Sequence, residues 1–179
     1  MIDLISIQDS EPYDLFCSFY NKAILKNQPN VEAISVSSFD TKKKEVDSSF
    51  VNLKYIDNDN WVFFTNYNSA KAVQFSNHDQ ISVNIFWHTI NLQIRIKAQI
   101  KKISNEKNKT YFENRSLKKN ALAISSSQSR PIESYDKIRE KYEKSLESAN
   151  LKECPDYWGG YSFNPYFFEF WEGHKNRLN

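Results

Sequence analysis

The chain has 179 residues and 21.1 kDa, about one domain's length and enough to bury a core without metal or disulfide support. Its 24 basic against 22 acidic residues leave a formal charge of +2, which excludes the strong basic excess of a dedicated nucleic-acid binder. Apolar residues at 40% and aromatics at 15% exclude a disordered chain, and a mean hydropathy of −0.68 goes with no apolar run of membrane-spanning length.

Residues 11–27 read as a helix, with Ser10 as N-cap, Pro12 in the first turn and Leu15, Phe16, Phe19, Ile24 and Leu25 at near-helical spacing. Pro29 ends it, closing an N-terminal helical segment over 1–29. From Val31 the period becomes two, and a first strand runs to Phe39. Lys42, Lys43 and Lys44 lie in a polar turn, and a second strand follows from about Val46 to Tyr55. Asp57-Asn58-Asp59-Asn60 signals another turn before a short strand, Trp61 to Thr65. Ser69 caps a short helix to about Phe75, and Ile81 to Trp87 is the next strand. The clearest alternation follows: Leu92, Ile94, Ile96, Ala98 and Ile100 against Gln93, Arg95, Lys97, Gln99 and Lys101. One dry and one wet face suit the wall of an antiparallel barrel. Helices then take over, one after Ser104, one over 117–124 and one after Ser134, with a loop around Ser125 to Pro131. The tail from Tyr157 returns to aromatic-rich strands. The reading is α+β over a single domain, 1–179: main barrel strands over 31–103, helices over 104–150 and C-terminal strands over 157–179.

Glycine usage narrows function further. Gly159, Gly160 and Gly173 are the only glycines, so neither a dinucleotide fingerprint nor a P-loop exists, and side chains must do most of the holding of any phosphate. Cys17 and Cys154 read as free thiols of a reducing cytosol. Met1-Ile2-Asp3-Leu4 carries no secretory signal pattern, so a cytoplasmic location is expected. His78, His88 and His174 are not spaced as metal ligands.

Four segments stand out in order. They are Val51-Asn52-Leu53-Lys54 with Trp61 to Tyr67 and Ser69-Ala70-Lys71; Leu92-Gln93-Ile94; Tyr111-Phe112 and Arg115 with Gln128-Ser129; and Trp158-Gly159-Gly160-Tyr161 with Phe168 to Gly173 and Asn176-Arg177-Leu178. Singly, each has an ordinary explanation. Lys54, Lys71 and Arg115 fit solvated charges, and Gln93 a wet strand face. Tyr111 and Trp171 fit core aromatics, Gln128 and Ser129 loop residues, and Gly159-Gly160 a tight turn. As an ordered set, from about Val31 to the last residue, they resemble the pyridoxamine 5′-phosphate oxidase family.

That resemblance implies an FMN-binding antiparallel split β-barrel with helices packed at its ends, in a homodimer with the flavin between subunits. It implies oxidation of pyridoxamine or pyridoxine 5′-phosphate to pyridoxal 5′-phosphate, hydride passing to flavin N5 and oxygen reoxidising the flavin to give peroxide. Matched position by position, Ser49, Phe50, Val51 and Phe64 fall at cofactor-binding positions. Thr65, Lys71 and Gln93 match FMN contacts from one subunit, and Gln128, Ser129 and Trp171 match contacts from the other. Lys54, Tyr111, Arg115, Lys119 and Asn179 match substrate-binding positions. Arg177 matches an arginine over the substrate ring beside the reacting carbon, where a planar cation both stacks and hydrogen-bonds. The partners implied are a phosphorylated small molecule and a second copy of the chain, with neither nucleic acid nor membrane.

The departures fall on phosphate and substrate groups. Ser49 and Ala70 stand where the family has arginines, Lys119 where it has a serine, and Asn179 where it has a histidine. The family pattern continues past Asn179 into a segment with a further flavin-contacting arginine, which is expected to be missing. Two other readings therefore remain. One is a non-catalytic relative that binds flavin or a B6 phosphate; the other is a split-barrel flavin oxidoreductase with a different substrate.

Overall fold

The computed structural model describes residues 1–126, 131–148 and 150–174. Gln128, Ser129, Arg177 and Asn179 thus lie outside the described residues. In chain order the elements are β1 (Asp3–Ile7), α1 (Glu11–Leu25), β2 (Ala33–Asp40), β3 (Glu45–Asn58), β4 (Asn60–Asn66), α2 (Ala70–Asn77), β5 (Gln80–Trp87), β6 (Leu92–Lys102), α3 (Asn105–Glu113), α4 (Leu117–Ser125), α5 (Tyr135–Ser148) and β7 (Trp158–Glu172).

Most elements follow the sequence periodicities; β1 does not. It pairs parallel with β3, from Asp3 opposite Tyr55 to Ile7 opposite Asn58, inside the stretch read as purely helical. Five residues with no burial alternation carry no strand signal of their own, and β3 templates them. The aromatic tail is one continuous strand, β7. Ser10 precedes α1, but its backbone carbonyl, not its hydroxyl, takes the Tyr13 and Asp14 N–H groups at 3.0 and 3.1 Å.

The strands form one sheet in the order β1-β3-β2-β5-β6-β7-β4, and a further β3–β4 pairing closes it into a ring. Apart from β1 with β3, the pairings β2–β3, β2–β5, β3–β4 and β5–β6 are antiparallel. A chain without early glycines needs another residue for its left-handed turn positions. Asn27, Asn30, Asn58 and Asn91, with Lys44, take them, φ 49–58°. Asparagine tolerates that region because its short polar side chain bonds locally.

The described chain packs as two compact units. The first holds Met1–Phe64, Gln74–Lys101 and the chain from Tyr161; the second holds Thr65–Val73 and Lys102–Gly160. The core of the first is aromatic. Phe16 of α1 lies 4.6 Å from the Trp61 ring and 5.7 Å from Trp87, and Trp61 meets Phe163 at 5.8 Å. Phe16, Trp61, Phe63, Trp87 and Phe163 are all fully buried. Trp87 satisfies its indole N–H on Val31 O at 3.1 Å. In the second unit, Asn120 is buried and donates to Phe112 O and Leu151 O, both at 2.8 Å, tying α4 to the end of α3 and to the segment before β7.

Candidate functional site

In the first unit the candidate residues lie on β3, β4, β6 and β7. Ser49, Phe50 and Val51 sit opposite Val36, Ser35 and Ile34 of β2. Opposed residues share a sheet face, so Ser49 and Val51 lie with the buried Val36 and Ile34, while Phe50 lies outward and is 79% exposed. Phe64 packs tilted against Tyr55 at 6.4 Å.

Lys54 holds a special backbone position. Leu53 pairs with Phe63 and Tyr55 with Val62, so one extra residue, Lys54, is inserted into β3 against β4. Such a bulge bends the strand and re-aims a side chain. Sequence reasoning selects Lys54 but not the bulge, which depends on the β4 register.

Gln93 and Trp171 lie on neighbouring strands, β6 and β7. Arg95 Nη1 pairs with Glu169 Oε1 at 2.7 Å, Lys97 Nζ lies 5.2 Å from the Phe167 ring, and Asn91 Nδ2 donates to Gly173 O at 2.8 Å. This register sets Gln93 across from Trp171 on the outer face. Phe86, 56% exposed, is Gln93's partner on the β5 side. Half-exposed aromatic rings flanking a glutamine amide form a flat surface with a donor and an acceptor, which suits a planar heteroaromatic ring.

The second unit carries the cationic part. Thr65 is buried at the end of β4, and Lys71 lies in the first turn of α2 behind Ser69. Ser69 is fully buried, and its Oγ has no hydrogen-bond partner among the described residues. A buried hydroxyl of this kind costs free energy unless something satisfies it.

Arg115 follows α3, its N–H donating to Phe112 O at 3.1 Å. Its guanidinium lies 4.5 Å from the Trp158 ring and 5.6 Å from Phe112. Trp158 stacks on Tyr111 at 6.5 Å, so Tyr111 and Arg115 share that indole. Burial pulls Arg115 below the ordinary arginine value and pushes Tyr111 up, each charge partly offsetting the other's shift. Arg115 Nη1 is buried without a partner among the described residues. A stacked cation with an unmet buried donor is organised for an anion. Lys119 lies exposed on the first turn of α4.

The Trp158-Gly159-Gly160 sequence is not a turn; it opens β7. A Cβ on Gly159 would overlap Tyr67 Oη and Asn108 Nδ2. Asn108 takes the Gly160 N–H at 2.8 Å and donates to Tyr67 Oη at 3.0 Å, while Tyr67 Oη donates to Gly160 O at 3.1 Å. The glycine pair thus admits a buried polar network beside Trp158. Sequence reasoning missed Ser69, Asn91, Asn108 and Trp158 as supporting residues. Ser69 and Trp158 fall inside the motifs, whereas Asn91 and Asn108 carry no local signal.

Among the described residues no cluster of His, Cys, Asp and Glu is arranged to hold a metal. Cys17 and Cys154 are free, and burial pushes both thiols up, toward the protonated form.

The pyridoxamine 5′-phosphate oxidase family pattern matches residues 22–147. The chain belongs to this family. It is 34% identical over 173 residues to a pyridoxine/pyridoxamine 5′-phosphate oxidase of Legionella pneumophila strain Paris, covering 96% of this chain and 80% of that one. It is 35% identical over 174 residues to the corresponding oxidase of Christiangramia forsetii, covering 94% and 80%. PhzG from Burkholderia lata, solved with tetrahydrophenazine-1-carboxylic acid, superposes with a TM-score of 0.86 at 23% identity, covering 94% of this chain and 83% of that one. A pyridoxamine 5′-phosphate oxidase-related FMN-binding protein from Nostoc punctiforme superposes with 0.75 at 11% identity, covering 92% and 87%. Both share the split-barrel fold of the pyridoxamine 5′-phosphate oxidase family, and the ring-like, mostly antiparallel sheet described above is that fold. No helix among the described residues is long and apolar enough to cross a membrane.

Proposed function

We propose that this family member is an FMN-dependent oxidase acting on a phosphorylated ring compound, with pyridoxamine or pyridoxine 5′-phosphate as the first substrate to try. The observation that carries the reading is Arg115, half-buried and stacked on Trp158, whose buried Nη1 donor has no partner among the described residues. A phosphate monoester on the substrate answers that donor with a charged acceptor.

The cofactor fits the residues present. Ser69 Oγ, buried and without a partner among the described residues, stands one residue before α2 and two before Lys71, a donor set suited to a flavin phosphate. Gln93, between Phe86 and Trp171, suits the flavin ring. When bound, FMN supplies the hydride acceptance and the return to oxygen. The chain's own residues hold and orient: Arg115 binds the substrate phosphate and Tyr111 walls it, while Lys54 and Arg177 are the further substrate-binding positions that the family pattern implies. With Ser49 and Ala70 in place of arginines, side-chain hydroxyls and Lys71 carry more of the phosphate binding.

A homodimer belongs to the same reading. Phe86 at 56% and Trp171 at 39% exposure leave apolar area on the outer sheet face beside Gln93, and Phe50, 79% exposed on β3, adds to the same face three strands away, the kind of surface a second copy covers. Phe50→Glu should shift the protein from dimer to monomer in analytical ultracentrifugation and lower FMN retention with it. An unchanged dimer would count against this face.

The absorbance spectrum tests the function. Protein reconstituted with FMN should be yellow and should bleach on anaerobic addition of pyridoxamine 5′-phosphate. No flavin uptake ends the cofactor reading. Uptake without bleaching favours a binding-only relative or another substrate, as the altered Ser49, Ala70 and Lys119 positions would suggest.

A further inference from the structure

Two hydrogen bonds join the turn before β6 to the end of β7. Gly173 N–H donates to Asn91 O at 2.9 Å, and Asn91 Nδ2 donates to Gly173 O at 2.8 Å. Asn91 makes this return only in its left-handed conformation, φ 51°, which few residues other than glycine adopt at low cost.

Trp171 is the third member. A Cβ on Gly173 would run into the Asn91 amide and lie 3.0 Å from Trp171 Cη2. The amide and the indole edge therefore close on the bare glycine. The next residue along, Glu172, is held by Lys22 Nζ at 2.7 Å. Trp171 is 39% exposed at the end of a strand, and a ring so placed samples several rotamers unless something walls it. The Asn91 amide and the Trp171 edge both border Gly173, which leaves the amide and the glycine backbone beside the ring to wall it.

We infer that Asn91 is a positioning residue that sets the Trp171 ring beside Gln93 and so controls how tightly the flavin is held. The inference rests on the cofactor reading above and adds to it a residue two positions before Gln93 that need not touch the flavin.

Asn91→Gly tests it, because glycine keeps the left-handed backbone and the bond from Gly173 N–H and removes only the amide. FMN affinity, titrated by flavin fluorescence, should fall about fivefold, the worth of one modest hydrogen bond. In a Trp171→Phe background the same substitution should change affinity by less than about twofold, since residues acting as a unit are non-additive. No loss in the first background, or an equal loss in both, overturns the inference while leaving the cofactor reading intact. Wild-type protein that takes up no FMN overturns both. If circular dichroism shows Asn91→Gly unfolded, Asn91→Asp replaces it: nearly the same volume, but unable to donate to Gly173 O. The same outcomes then apply.

Discussion

Arg115→Met should raise KM for a phosphorylated substrate by about 10²- to 10³-fold, the effect expected when one or two charge-assisted hydrogen bonds to a phosphate are lost. The methionine still fills space beside Trp158 and Phe112, so folding and FMN uptake should persist. That separation makes the result specific. A substrate lacking the phosphate should bind wild type and variant alike, because the guanidinium has nothing to answer in it. Arg115→Lys should recover only part of the loss. Lysine keeps the charge, but it lacks the planar face that lies 4.5 Å from the Trp158 ring. Steady-state kinetics with both substrates checks this. A KM unchanged by Arg115→Met would remove the residue from substrate binding.

Gly159→Val should destabilise the protein by about 3 kcal/mol, at the upper end of ordinary overpacking in a tight interior. For a chain of this size that is a fall in Tm of roughly 6–12 °C. The reason is local and steric, since the added side chain occupies the place of Tyr67 Oη and Asn108 Nδ2. To admit it, Tyr67 must withdraw from Gly160 O and Asn108 from Gly160 N–H, leaving buried polar groups unpaired. Adding Tyr67→Phe removes the clashing oxygen and should restore part of the loss. Calorimetry of the single and double variants decides it. A Gly159→Val protein melting with the wild type would show that the network yields without cost.

Legibility in the sequence followed the range of each physical cause. The alternation Leu92 to Lys101 reports a strand with one wet face, because the two-residue period is local to the strand. Ser104 and Ser134 announce helices through bonds to Lys107 N and Lys137 N three residues away. β1 was illegible because Tyr55 to Asn58, some fifty residues away, make it a strand. Taken singly, the glycine pair at 159–160 fits a tight turn as well as a family motif, because glycine most often marks a turn. Here its lack of a side chain serves a close approach by Tyr67 and Asn108.

By itself the sequence determined that side chains would do most of the holding of any bound phosphate, that the fold is α+β with antiparallel walls, and which ordered residues belong to the pyridoxamine 5′-phosphate oxidase pattern. These follow from residue type and spacing along one chain. Tertiary structure alone decided that Gln93 faces Trp171, that Lys54 rides a bulge, that Asn91 closes on Gly173, and that the Arg115 Nη1 donor is buried without a partner among the described residues. Strand register and desolvation are set by partners distant in sequence, and no period or motif encodes them.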